Sequence, residues 1–339
     1  MKYFLPVASL ILLLSSCGVS RNYLTVEFRE PAKVTFPPEV VNIVVVDNSY
    51  IPEGGPKQIV SPKGEISIQT DSARAHIAIS LAQYMQEEEF FNNVIYYPHF
   101  RQGDDSIQIY LTNQEITSIC KETNSDALIS INQSAISGSM EIYAYDDNRG
   151  ILQVGVMANI KAYRPDGIPY HESYLLSDTL YWEGIPEGMN VYKSSRYSII
   201  NIQKATMEAA EIAADRLTEI YTPYWKKETR HFYAGSSSEM KKATTYAEEY
   251  KWEEASTIWE DLYNKENKPL TKAYMAYNIA LANECLNEID KALQWNKTAL
   301  DLLSQKNNSK LRQSVTGQNK VLKNREKQVK QLELQYGTD

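Results

Sequence analysis

The chain has 339 residues and a net charge of −8, with 35 Lys and Arg against 43 Asp and Glu. Hydrophobic residues make up 43% and charged residues 23%, the composition of a globular protein, which argues against long disorder and a polytopic membrane protein. At about 150 residues per domain the length predicts two domains. The acidic balance offers no basic stripe to displace counterions from phosphate, so no nucleic acid partner is expected. Three cysteines, Cys17, Cys120 and Cys285, are too few for a disulfide scaffold or a multi-cysteine zinc site.

The first 16 residues read as a signal peptide. Lys2 supplies a positive charge, and residues 4–14 form an apolar run. That run is shorter than the roughly 20 residues needed to cross a membrane. Leu14-Ser15-Ser16 before Cys17 resembles the bacterial lipoprotein lipobox. The resemblance implies cleavage before Cys17 and lipidation of its thiol; a plain secretory signal with an incidental cysteine is the alternative. Multiple acyl chains would hold the chain at a membrane, since each buried CH₂ is worth about 0.8 kcal/mol. No Asp or acidic cluster follows Cys17. By similarity to known sorting rules, this favours the outer membrane, with the periplasmic face preferred and the cell surface open.

Residues 17–37, ending in Pro37, read as a lipidated tether. Residues 40–46 are a β-branched run and predict a buried strand. A helix follows, with Ile77, Leu81, Tyr84 and Met85 at helical spacing, and then a strand at 94–97. Thr112-Asn113-Gln114-Glu115 is a capping box opening a second helix, with Ile116, Ile119 and Cys120 on one face. A strand at 127–131 comes next. Alternating segments at 141–145, 152–163 and 170–181 predict an antiparallel meander, with a turn at Arg164-Pro165-Asp166-Gly167. A helix over 195–221 closes the domain before Pro223. The fold class expected is α+β: an N-terminal α/β sandwich with a mixed sheet over 38–234, then an all-α tail over 235–339. The opening elements and meander are similar to the amino-terminal domains of some envelope assembly lipoproteins, including curli-secretion types.

In the tail, Trp252, Ala255 and Trp259 parallel Ile289, Ala292 and Trp295, and Ala243 aligns with Ala280. The spacing Ala255 to Ala292 is 37 residues. This resembles tetratricopeptide repeats, in which small residues let paired helices approach. A helix over 309–336 would cap the stack. The whole mature chain resembles a Bacteroidota lipoprotein family of unknown function, and the resemblance brings no catalytic residue with it.

The four histidines form no metal-binding motif, and no phosphate loop or nucleophile elbow is present. The expectation is therefore a non-enzyme, with no catalytic residue, metal or cofactor. Cys120 and Cys285 read as core thiols. Asp47, at the exit of the first strand, is a ligand-site candidate, or it caps that exit. Repeat geometry places Glu248, Tyr274, Tyr277 and Glu284 on a concave face, where they would grip a protein partner or pack on the preceding domain. From 303 to 339 eight basic residues face three acids, either a solvated helix face or a contact with anionic lipid or glycan. The function expected is a membrane-tethered binding or scaffolding module of the envelope, its partners the membrane lipid through acylated Cys17 and a protein through the tail. An oligomerising assembly or secretion factor and a glycan-acting enzyme are the alternatives.

Overall fold

The computed structural model describes residues 19–49, 58–60, 66–69, 71–99, 110–142, 150–186, 199–304 and 308–337. The signal peptide and Cys17 lie outside them. The chain divides into two units, one of Glu30–Tyr224 with Gln331–Asp339, the other of Met1–Arg29 with Trp225–Lys330. We call them the sheet unit and the helical unit.

The sheet unit is built around β2 (Asn42–Asp47), which pairs in parallel with β5 (Asn93–Pro98) on one side and β6 (Ala127–Ile142) on the other. Its β-branched run has no polar side because both faces are covered. Ile43 and Val45 join one core with Ile77, Leu81 and Met85 of α1 (Asp71–Glu87). Val44 and Val46 join a second with Ile116, Ile119 and Cys120 of α2 (Asn113–Thr123). The expected capping box at Thr112 and Glu115 opens α2, and Asn124 closes it in the left-handed region.

Beyond β6 the sheet becomes antiparallel, through β7 (Gly150–Tyr163) and β8 (Tyr174–Pro186). Leu152, Val154, Val156, Ala158 and Ile160 of β7 face the core, where α3 (Ile202–Tyr221) lays down Ala205, Ala209, Ala210, Ala213 and Ala214. This alanine stripe lets α3 lie close to both the sheet and α1. The two short strands β3 (Gln58–Val60) and β4 (Ile66–Gln69) extend the sheet from the far half of β6, and β9 (Ile199–Ile200) pairs with the end of β8. The meander is therefore present, but its first arm is not separate from the 127–131 strand. Both belong to one long strand, β6, whose register shifts between Ile131 and Gln133.

In the helical unit β1 (Ser20–Glu30) and β10 (Tyr224–Ala234) form a two-stranded ribbon, apart from their end residues Glu30 and Tyr224. Side-chain pairs Arg21–Tyr233, Tyr23–His231, Glu27–Lys227 and Arg29–Trp225 run in opposite directions along the two strands, an antiparallel register. This corrects two expectations. Residues 20–30 are a strand and not a tether, because Val26 and Phe28 are buried against helices. Residues 32–36 are no linker either, since Val34 and Phe36 enter the core of the sheet unit. The division at residue 234 is likewise replaced by one at Tyr224–Trp225, because β10 packs with the helices that follow it.

Those helices are α4 (Ser238–Glu248), α5 (Trp252–Lys265), α6 (Pro269–Cys285), α7 (Ile289–Leu303) and α8 (Ser309–Tyr336). Each of α4 to α7 packs on the next. Ala243, Ala255, Ala276, Ala280, Ala292 and Ala299 are fully buried, so the small residues lie at the helix contacts. Pro269 occupies the first turn of α6, where its missing N–H costs nothing. The last two turns of α8 are assigned to the sheet unit, where Gln335 accepts the Ala32 N–H at 3.0 Å and donates to the Ala32 carbonyl at 2.9 Å.

Two glycines test this backbone in opposite directions. Gly167 sits at φ +85°, and a Cβ there would stand 2.5 Å from the Asn113 side chain. Gly317 lies within α8 with no heavy atom within 4 Å of an added Cβ. Urea unfolding should show Gly167→Ala losing at least about 1 kcal/mol, and Gly317→Ala gaining roughly 0.5–1 kcal/mol.

Candidate functional site

The carboxyl ends of parallel strands are where α/β folds place ligands. Here β2 ends in Asp47, which is 1% exposed and followed by buried Asn48 and Ser49. Asp47 Oδ1 accepts from the Ser49 amide at 3.1 Å and from Ser49 Oγ at 2.6 Å, a local turn that closes the strand exit. Its carbonyl accepts the His99 N–H at 3.0 Å from the end of β5. Asn48 donates its amide N–H to the Ile131 carbonyl at 3.0 Å and its side-chain Nδ2 to Asn132 Oδ1 at 3.2 Å. Ser130 Oγ donates to the same Asn132 oxygen at 2.8 Å.

Asn132 is the extra residue of the β6 bulge, between the pairs Ile131↔Ile160 and Gln133↔Asn159. Bulges re-aim side chains and end pairing. This one turns Asn132 toward β2 where the β2 pairing stops. Farther along, Ser137 and Gly138 of β6 pair with β4. The Tyr96 hydroxyl on β5 is held above its ordinary pKa by burial and then by the Asp47 charge. The cluster gathers one carboxylate, two amides and two hydroxyls at the strand ends. Asp47 makes the strand-exit turn with Ser49, one of the two roles its position allowed. The acid pairs at 104–105 and 146–147 lie outside the described residues.

In the helical unit the expected concave-face residues meet the chain's own strand. Arg230 of β10 donates Nε to Glu284 Oε1 at 3.1 Å and Nη2 to the same oxygen at 2.7 Å, and Glu284 is fully buried. Burial lowers the affinity of Arg230 for its proton, but its bonds to the Glu284 and Glu228 carboxylates outweigh that and the pKa is raised. Asn278 of α6 accepts the Tyr233 N–H at 2.8 Å and donates to the Tyr233 carbonyl at 2.7 Å. Tyr277 stacks on His231 at 5.1 Å, and Tyr274 meets Tyr233 edge-on at 4.6 Å. Glu248 lies apart and exposed, accepting from Asn22 of β1 at 3.1 Å. Glu284, Tyr277 and Tyr274 therefore do not line an open groove. Strand β10 fills it, through Arg230 on Glu284, His231 on Tyr277 and Tyr233 on Tyr274 and Asn278.

Arg230, Asn278 and Asn132 went unrecognised in the sequence. Residues 224–234 carry no period-2 alternation that would announce β10, and nothing local marks the bulge. Cys120 is buried, with its thiol pushed up to about 11 by burial, and burial also raises Cys285; neither is a ready nucleophile. Among the described residues no group of three His, Cys, Asp or Glu could hold a metal ion.

Two histidines respond to pH. His171 donates Nδ1–H to the Glu172 carbonyl, so its Nε2 accepts from the Ala162 amide at 3.2 Å, with the Tyr221 hydroxyl 3.1 Å away. That pattern requires the neutral ring, and burial lowers its pKa, with a smaller contribution from Lys161. His231 is lowered by burial and by Arg21. A histidine with a lowered folded pKa takes up protons more readily when unfolded, so its stabilising contribution is present at high pH and is lost as pH falls. Denaturant unfolding should show stability declining as pH falls from about 7 through the ordinary histidine value of about 6.5. The double variant His171→Asn with His231→Asn should flatten that slope.

A comparison with curated proteins finds no match. Among solved structures, the chain is similar to a neuraminyllactose-binding hemagglutinin homolog from Helicobacter pylori, at 13% identity and a TM-score of 0.29, over 56% of this chain and 87% of that one. Residues 241–324 match the family described as Domain of unknown function (DUF6340). Residues 40–233, more than half of the chain, match another, and on that match the chain belongs to the family described as Domain of unknown function (DUF8603).

Proposed function

We propose that the protein is a membrane-tethered lipoprotein of the cell envelope that acts as a non-enzymatic binding or scaffolding module. The observation that carries this reading is Leu14-Ser15-Ser16-Cys17 directly after a short apolar run. Acylation there would supply the membrane attachment. No helix among the described residues is long and apolar enough to cross a membrane. A bacterial outer membrane is the proposed address, with the periplasmic face preferred.

The helical unit is proposed to consist of two tetratricopeptide-like repeats and a capping helix. Support comes from Ala243 and Ala280, and from Ala255 and Ala292, each pair 37 residues apart and fully buried. With the inner face filled by β10, the partner is proposed to engage outward surfaces. The Bacteroidota character and the lipoprotein kinship rest on the same sequence features. A scaffolding role is favoured because the buried ionisable groups are tied into structure: Glu284 to Arg230, and Asp47 to Ser49.

One observation favours a second reading, an assembly factor that oligomerises through the sheet unit. Leu175 and Tyr181 of β8 are 62% and 65% exposed, on the sheet face turned away from α3. Native mass in a lipid environment separates the two readings: a monomer contradicts the second. For the leading reading, Cys17→Ala should abolish fatty-acid labelling and move the protein from the membrane to the soluble fraction. Labelling that persists in the variant contradicts it.

A further inference from the structure

The helical unit carries a cavity of about 490 Å³, within the roughly 300–1,000 Å³ range of small-molecule sites. Its lining is mixed: Met240 of α4, Leu262 of α5, and Tyr274 and Met275 of α6 supply an apolar wall, and Lys265, Glu266 and Lys268 also border it. Val19, just ahead of β1, lines it too and is 40% exposed. Two methionines beside a leucine make a wall that adapts to a flexible apolar ligand. A segment of this chain that would carry such a ligand is within reach. Cys17 precedes Val19 by two residues, and chain extends at most about 3.6 Å per residue, so its Cα stands no more than about 7 Å from a residue of the lining.

We propose that this cavity seats one acyl chain of lipidated Cys17. The inference rests on the lipoprotein reading and deepens it by assigning a place to the lipid. Each CH₂ withdrawn from water is worth about 0.8 kcal/mol, so the apolar wall of a cavity beside the attachment point competes with the bilayer for the chain. Filling it would hold α4 to α6 at the membrane surface, because the tether from Cys17 to β1 is only two residues long. The occupant is the protein's own acyl chain and not a bilayer phospholipid, since the lipid-bearing residue precedes the lining residue Val19 by only two positions in the chain.

The test uses the full-length protein in native envelopes of cells fed a diazirine-bearing palmitate. After irradiation and proteolysis, mass spectrometry should find the lipopeptide beginning at Cys17 joined to peptides of α4, α5 or α6. Val19→Asp, at an exposed position, should lower that yield at least about five-fold with Cys17 still fully labelled. Full labelling of Cys17 without such joined peptides overturns the cavity assignment and leaves the lipoprotein reading standing. Phospholipid adducts on the same peptides, in place of the Cys17 lipopeptide, overturn it as well. Absence of label from Cys17 overturns the lipoprotein reading itself, and the cavity assignment falls with it.

Discussion

The ion pair between Arg230 and Glu284 is the constraint on which the helical unit depends. Removing two charges from water costs several kcal/mol per ion, and only near-ideal geometry with further hydrogen bonds offsets it. Glu284 receives two bonds from Arg230 to one oxygen, a third contact to the other at 3.2 Å, and is wholly shielded from solvent. Arg230 also lies over the Phe28 ring at 4.9 Å, as does Arg325 at 4.7 Å, whose Nη1 donates to the Arg29 carbonyl. Charge, aromatic face and backbone thus fix β10 and β1 against the helices in one register. Asn278 adds a second lock, because it satisfies both polar groups of the Tyr233 backbone in a setting where neither could reach water.

This arrangement changes what the helical unit can offer a partner. A bare array of paired helices would present α6 as an open groove. Here the inner residues of α6 are committed to an extended strand of the same chain, which satisfies the same hydrogen bonds a bound peptide would. The sheet unit follows a different logic. Its central strand β2 is sealed on both faces and its antiparallel arm on one, so the buried polar cluster of Asp47, Asn48, Ser49 and Asn132 gathers where β2 ends.

Local chemistry made much of the fold legible. The β-branched run at 40–46, the Thr112 capping box and the Gly167 turn each specify structure within a few residues: the strand, observed over Asn42–Asp47, the capped helix and the positive φ all form. The failures are long-range. Residues 24–29 do alternate, with Leu24, Val26 and Phe28 against Thr25, Glu27 and Arg29, but the partner of that strand, β10, lies far along the chain and nothing local names it. The bulge at Asn132 is set by a change of neighbouring strands that no local pattern encodes. The same limit governed the site. Tyr274, Tyr277 and Glu284 meet β10 while Glu248 lies apart, and helical spacing does not tell what packs against a face. For Asp47 the sequence offered a ligand site or a strand cap, and the hydrogen bonds from Ser49 perform the cap.

The central claim is that the helical unit is closed by its own strand. Native-state hydrogen exchange at the Tyr233 amide tests it most directly, because that N–H is held by the Asn278 side chain and not by a helix or a neighbouring strand. The account predicts that Tyr233 exchanges as slowly as the interior amides of α6, through the same opening. Exchange at the rate of an unprotected amide, with α6 still protected, would show a strand that leaves the groove freely and would contradict the account.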